Sequence, residues 1–142
     1  MPKDSYLESR ILAADPVELI HILYEHALTQ VRAAYAAQAA KDIRGSAEAI
    51  CKALGAIGEL EASLDHNAGG SISRNLGNLY RYMRKRLTDA NMKREHGALT
   101  EVESLIRTLD EGWTAMQHAT ALRAAPAYSH AVADTLEHAW SA

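Results

Sequence analysis

Phenylalanine is missing from this 142-residue chain, proline occurs three times and cysteine once. With a single cysteine no internal disulfide can form, so the fold has to rest on packing. Cys51 has no cation on its own helix face and is expected to be a buried, inert thiol. The scarcity of proline and the lack of β-branched runs leave little to interrupt helices, and the abundant Ala, Leu, Glu, Arg and Ile favour them. No apolar run approaches the roughly 20 residues a membrane-spanning helix needs, which speaks against membrane insertion. No signal-like stretch follows Met1-Pro2-Lys3-Asp4, so the cytosol is the expected compartment. A formal net charge of −3 gives no excess of either sign, and neither nucleic acid nor an anionic membrane is the expected partner. What is present, 48% hydrophobic and 23% charged residues, suffices for one folded domain with its own core.

Periodicity divides the chain. Residues 1–14 form a short element, apolar at Tyr6, Leu7, Ile11 and Leu12, too short to be stable unless it lies on something. Asp15-Pro16-Val17-Glu18 reads as a helix start with a capping box, leading to a helix that ends near Lys41. Its stripe is Ile20, Leu23, Tyr24, Ala27, Val31, Ala34 and Tyr35, widened by Leu19, Ile22 and Leu28, enough for two neighbours. A second helix is expected from Ile43 to Leu64 with its seam at Ile43, Ala47, Ile50, Leu54, Ile57 and Leu64, and Leu60 beside it. His66–Gly70 reads as a turn. A third helix is expected from Ser71, a plausible cap, to about Lys93, with Ile72, Leu76, Leu79, Tyr80, Met83, Leu87 and Ala90 inward.

A fourth helix should start between Gly97 and Thr100 with a capping box at Thr100 and Glu103. It buries Leu99, Val102, Leu105, Ile106, Leu109, Trp113 and Met116 and stops before Pro126. In residues 126–142 the spacing of Val132, Leu136 and Trp140 permits a short helix. The fold class is therefore all-α: an antiparallel four-helix bundle over residues 1–125, residues 1–14 included as an N-terminal cap segment, followed by a tail.

Chemistry-bearing patterns are sparse. Glu18 and His21 stand in E-x-x-H spacing, as in carboxylate-bridged metal bundles, but no second such pair follows. No nucleophile elbow, phosphate loop or H-E-x-x-H occurs, so neither catalysis nor a metal or other cofactor is expected. Arg74, Arg81, Arg84, Lys85 and Arg86 make the third helix basic. Their bland reading, a solvated face paired with Asp89 or acids of the second helix, is preferred to nucleic-acid binding. Gly55, Gly58, Gly77 and Gly112 lie within helices, where each costs up to about 1 kcal/mol against Ala. Close helix–helix approach is the first explanation. A smooth groove for a partner helix is the second.

In order along the chain these residues resemble the flagellin export chaperone family, FliS, from Tyr6 to about Trp113. Tyr6-Leu7-Glu8-Ser9 with Ala14-Asp15-Pro16-Val17-Glu18-Leu19-Ile20 is similar to the family's N-terminal tyrosine segment and helix start. Leu23-Tyr24-Glu25-His26-Ala27 resembles its "LYDGA", and Ser63-Leu64-Asp65 with Gly69-Gly70 its "SLD…GG" turn. Asn75-Leu76, Leu79-Tyr80, Tyr82-Met83, Leu87 and Ala90-Asn91 follow its third-helix pattern, and Leu109 with Trp113 its closing "L-x-x-x-W". His26 stands in place of the usual glycine and Asp15 in place of a serine. The tail beyond Pro126 has no counterpart.

The resemblance implies a monomeric cytosolic chaperone. It would bind the disordered C-terminal segment of one flagellin, prevent premature polymerisation and deliver the subunit to the flagellar type III export gate. It also implies an N-terminal segment that covers binding surface when no client is present. On this chain the displaceable cap is expected at Tyr6, Leu7, Ile11 and Leu12. The client grooves are expected beside the second and third helices at Leu54, Ile57, Leu76, Leu79, Tyr80 and Met83. The competing readings are a ferritin-like metal-binding bundle and a helical adaptor for another secretion client.

Overall fold

The computed structural model describes residues 2–13 and 16–124, which form five helices: α1 (Pro2–Ala13), α2 (Pro16–Ala39), α3 (Ile43–Ala62), α4 (His66–Lys93) and α5 (His96–Ala124). Helix α2 packs on α3 and α5, and α4 packs on the same two, so α2 to α5 close a ring of neighbours. The connections at 40–42, 63–65 and 94–95 are too short to allow anything but antiparallel succession. Among the described residues no helix is long and apolar enough to cross a membrane. The expected cap at Asp15 and the tail 126–142 lie outside the described residues.

Helix ends follow local chemistry, not always as expected. At the end of α2 the Asp42 amide donates to the Ala37 carbonyl at 2.8 Å and the Lys41 amide to Gln38 at 3.0 Å. This double bond pattern puts Lys41 at the left-handed position, φ 60°. A non-glycine residue there costs about 1–2 kcal/mol. Asp42 then caps α3 by accepting from the Gly45 amide at 3.0 Å, and a Cβ at residue 45 would collide with that carboxylate. The turn expected at His66–Gly70 is a turn of helix. Asp65 accepts from the Asn67 amide, and Gly70 breaks the helix with φ 55° and ψ −127° before it resumes to Lys93. Asp65 thus caps the first turn, and the helix resumes at Ser71 after the break at Gly70. Helix α5 starts at His96, and the expected Thr100–Glu103 box does not form. The Thr100 hydroxyl donates to the His96 carbonyl, while Glu103 binds Arg32 of α2 at 3.0 Å.

The stripes of α2, α4 and α5 point inward as their periodicity demands, with Tyr35 and Ile72 left partly exposed at the margins. Helix α3 differs. It buries Ser46, Ala49, Ile50, Ala53, Ala56, Ile57 and Leu60, so its seam is turned toward the alanines. Ile43 is 58% exposed, while Ala47 and Leu54 are only half-buried. Small residues at the contact let α3 approach Ala27 and Ala34 of α2 closely, since helix separation follows side-chain size. The same rotation exposes Cys51, which sequence reasoning had placed in the core.

Tyr24 of α2 and Tyr80 of α4 meet in the middle of the bundle, both buried, with their hydroxyls 2.6 Å apart. Burial pushes the Tyr24 hydroxyl well above the ordinary phenol range and that of Tyr80 up to about 12, the latter partly offset by the hydrogen bond from Tyr24. In the unfolded chain both would ionise near pH 10. Folding therefore holds protons that the unfolded state releases, and stability must fall as pH rises from 10 toward 12. Urea midpoints between pH 8 and 11.5 should decline steeply above pH 10, and the decline should be reduced in Tyr24→Phe/Tyr80→Phe. At pH 7 each single Phe variant strands one buried hydroxyl and should cost about 1–3 kcal/mol. The double variant should cost less than the sum of the singles.

Candidate functional site

The outward face of α3 is open. Cys51 and Gly55 are exposed, and Leu54 and Gly58 are half-buried. A Cβ built at Gly55 or Gly58 meets nothing within 4 Å. Close helix packing, the first explanation for these two glycines, is therefore corrected. The same is true of Gly112 on α5, whereas Gly77 is buried in α4. What the α3 glycines provide is a smooth strip where a partner could lie against the backbone.

Basic side chains of α4 border this strip. Arg81, Arg84, Lys85 and Thr88 share one helix face by their spacing, and with Leu54 they line a cleft of about 300 Å³. Arg81 and Arg84 both bind Glu61 of α3, at 3.2 and 2.8 Å. The pairing of the basic helix with second-helix acids is thus seen. One carboxylate serves two guanidinium groups, and Lys85 adds a third cation, so the cleft keeps a positive excess. Arg86 faces the other way. It binds Glu101 at 2.8 Å, Glu95 at 3.1 Å and Asp89 at 3.2 Å. That clamp holds the Glu101 carboxyl below the usual carboxylate range, and the Tyr82 hydroxyl donates to the same group.

The ten residues assigned to partner binding fall into three settings. Ile57, Leu76, Tyr80 and Met83 lie in the core, at most 7% exposed, and present no groove surface in this conformation. Leu54 and Leu79 are half-buried against the core edge. On α1, Leu7 and Ile11 are half-buried, while Tyr6 is 67% and Leu12 84% exposed. Arg10 lies over the Tyr6 ring and reaches Glu25 of α2 at 3.4 Å. Glu25 also binds His21 at 3.1 Å, and the other ring nitrogen of His21 is 2.7 Å from Asp110 of α5. These ties lead from α1 to the α2–α5 side of the ring, opposite the α3–α4 cleft. The fold thus separates the N-terminal segment from the glycine strip, and no sequence pattern signalled that separation. It also missed Cys51, Gly55 and Gly58 as one surface. The signal lay in the alanines at 49, 53 and 56, which compete with the larger residues for the inward seam.

The E-x-x-H pair is not elaborated into a metal site. Among the described residues no group of three or more His, Cys, Asp or Glu side chains is placed to hold a metal ion. His21 turns instead to the two carboxylates just described.

The sequence matches the family described as FliS, flagellar protein FliS, over residues 2–120. It is 36% identical over 108 residues to the flagellar secretion chaperone FliS of Salmonella typhimurium, covering 75% of this chain and 80% of that protein. It is 34% identical over 112 residues to the flagellar secretion chaperone FliSB of Pseudomonas aeruginosa, covering 79% and 89%. To the flagellar secretion chaperone FliS of Bacillus subtilis it is 33% identical over 112 residues, covering 79% and 83%.

Since nothing opposes a methyl group at these helical positions, Gly55→Ala, Gly58→Ala and Gly112→Ala should each stabilise the free protein by about 0.5–1 kcal/mol. Urea unfolding measures this. A loss of stability at residue 55 or 58 would mean that a neighbour does approach there.

Proposed function

The chain belongs to the FliS family of flagellar proteins, and on that footing we propose that it is a cytosolic flagellar secretion chaperone. It binds the disordered C-terminal segment of flagellin, keeps the subunit from polymerising early and delivers it to the flagellar type III export apparatus. One monomer takes one client. The work is done by holding a polypeptide, not by catalysis.

The observation that carries this reading is the open strip of Gly55, Gly58 and Leu54 on α3 beside a cationic cleft. A folded bundle has no internal use for interior helical glycines that touch nothing, since each weakens its helix. A protein that must accept another helix against its backbone has one. A disordered client covers a large surface at modest affinity per area, because ordering it costs a few kcal/mol, and this suits cargo that must be released. Each client Leu or Ile buried well contributes about 1.5–3 kcal/mol, so a few anchors along the strip offset that cost. Tyr6, Leu7, Ile11 and Leu12 remain the proposed displaceable cap. Because Arg10 ties α1 to α2 on the α2–α5 side, the surface α1 would free is a second stretch of client contact apart from the glycine strip, used by a client that wraps the bundle. The exposed Tyr6 and Leu12 make α1 easy to lift. Leu54 and Leu79 are the groove residues with surface to offer. Ile57, Leu76, Tyr80 and Met83 support that groove from beneath.

Isothermal titration of the chain with the C-terminal segment of flagellin from the same organism tests the reading, with helicity followed by circular dichroism. Saturable one-to-one binding, a gain in helicity and a negative heat-capacity change are expected. No heat at about millimolar peptide would remove the flagellin assignment. Gly55→Ala/Gly58→Ala should weaken binding while stabilising the free protein, whereas Gly112→Ala should stabilise without weakening. Deleting residues 1–14 should leave the bundle folded and raise affinity; unchanged affinity would end the cap proposal.

A further inference from the structure

At the end of the bundle where the α2–α3 and α4–α5 turns meet, a cleft of about 530 Å³ opens, lined in part by Gln38, Lys41, Asp42, Ile43, Arg94 and His96. It stands apart from the glycine strip and from α1. Four features of this end converge on one kind of ligand.

The first is charge. Lys41 and Arg94 make no ion pair among the described residues, although acids lie close to both in sequence. Each of those acids is committed elsewhere. Asp42 caps the Gly45 amide, Glu95 binds Arg86, and Asp89 binds Arg86 and Lys93. The cleft therefore keeps a positive excess, two unpaired cations against the one Asp42 carboxylate that caps α3.

The second is placement. Among the described residues Lys41 and Arg94 are the non-glycine residues of positive φ, at 60° and 54°. Each follows the last turn of its helix, at the left-handed position where glycine is the usual occupant. A cation there offsets the helix dipole, which accounts for the charge but not for the strained backbone. Lysine or arginine one residue earlier would serve the dipole without strain. Both residues line the cleft.

The third is an unmet acceptor. The Gln38 amide donates to the Ala90 carbonyl at 3.0 Å, while its Oε1 is buried with no hydrogen-bond partner. A buried acceptor left alone is costly, and a small turn of the Gln38 side chain, which lines the cleft, would let an entering donor satisfy it. The fourth is apolar surface at the rim. Ile43 is 58% exposed, and Tyr35, 45% exposed, is held edge-on by the ring of the cleft residue His96 at 5.6 Å.

We propose that this end cleft is a second polypeptide-docking site, independent of the client strip, which takes an acidic segment of a partner protein. A carboxylate would sit between Lys41 and Arg94, a backbone N–H would reach Gln38, and an adjacent apolar side chain would cover Ile43. A bare anion would use only the first of these features, and an uncharged apolar helix only the last. A peptide that combines carboxylate, amide and apolar groups uses all of them.

The test is a ¹H–¹⁵N NMR titration of the full chain with a blocked Glu-Leu-Glu-Leu peptide, with inorganic phosphate as a parallel probe. Saturable shifts confined to the amides around Gln38, Lys41, Ile43 and His96 are expected. Lys41→Glu/Arg94→Glu, with its fold checked by circular dichroism, should weaken that binding at least about tenfold. Arg81→Glu/Arg84→Glu on the α3–α4 cleft should leave it unchanged. Ile43→Ser offers a milder variant, expected to weaken the peptide but not any phosphate effect. Three results would overturn the proposal: no shifts at about millimolar peptide, shifts spread over every basic residue, or phosphate shifts equal to those of the peptide.

Discussion

The buried hydrogen bond between the Tyr24 and Tyr80 hydroxyls sets the terms for the rest of the bundle. α2 and α4 sit across the ring from each other, so this bond spans the core rather than lining a seam. Each hydroxyl is shielded from water, and each finds its partner in the other. That requirement fixes how far both helices may rotate about their axes, because a small turn of either would strand two polar groups in an apolar interior. With α2 and α4 fixed, α3 and α5 have to fill the two remaining gaps. The faces they turn outward are consequences of that fit.

On α3 the consequence is functional. The alanines at 49, 53 and 56 are drawn inward to meet the small residues of α2, and the helix rolls until Cys51, Leu54, Gly55 and Gly58 look out. The core thus presents a strip with little side-chain relief, bounded by α4 cations that outnumber the acid they share. The chain of polar contacts from Arg10 through Glu25 and His21 to Asp110 lies on the opposite seam. Core packing, client strip and N-terminal segment therefore occupy separate faces. A client could engage one face without first dismantling the core.

How much could be read in advance differs residue by residue. Tyr24, Tyr80, Met83 and Trp113 were legible as inward positions because large apolar groups at three- and four-residue steps have one way to leave water. Their place in the core is also why Ile57, Leu76, Tyr80 and Met83 were poor choices as groove residues. Periodicity marks the apolar face of a helix, and it does not say whether that face meets the same chain or another. Gly55 and Gly58 were noticed as costly but could not be assigned, since a missing side chain suits a tight contact and an open groove equally well.

The sequence by itself determined that the chain is helical, where most of its helices run (the start of α4, five residues earlier than expected, being the exception), which residues of α2, α4 and α5 face inward and which family it resembles. These are local or additive properties, set by propensity, by capping chemistry and by the spacing of apolar groups. Only the tertiary structure decided the rotation of α3, the exposure of Cys51, the side on which α1 lies and the end cleft with its excess of positive charge. Each of these depends on how four helices share one interior. A residue such as Ala53 takes its place there only in competition with Leu54 beside it.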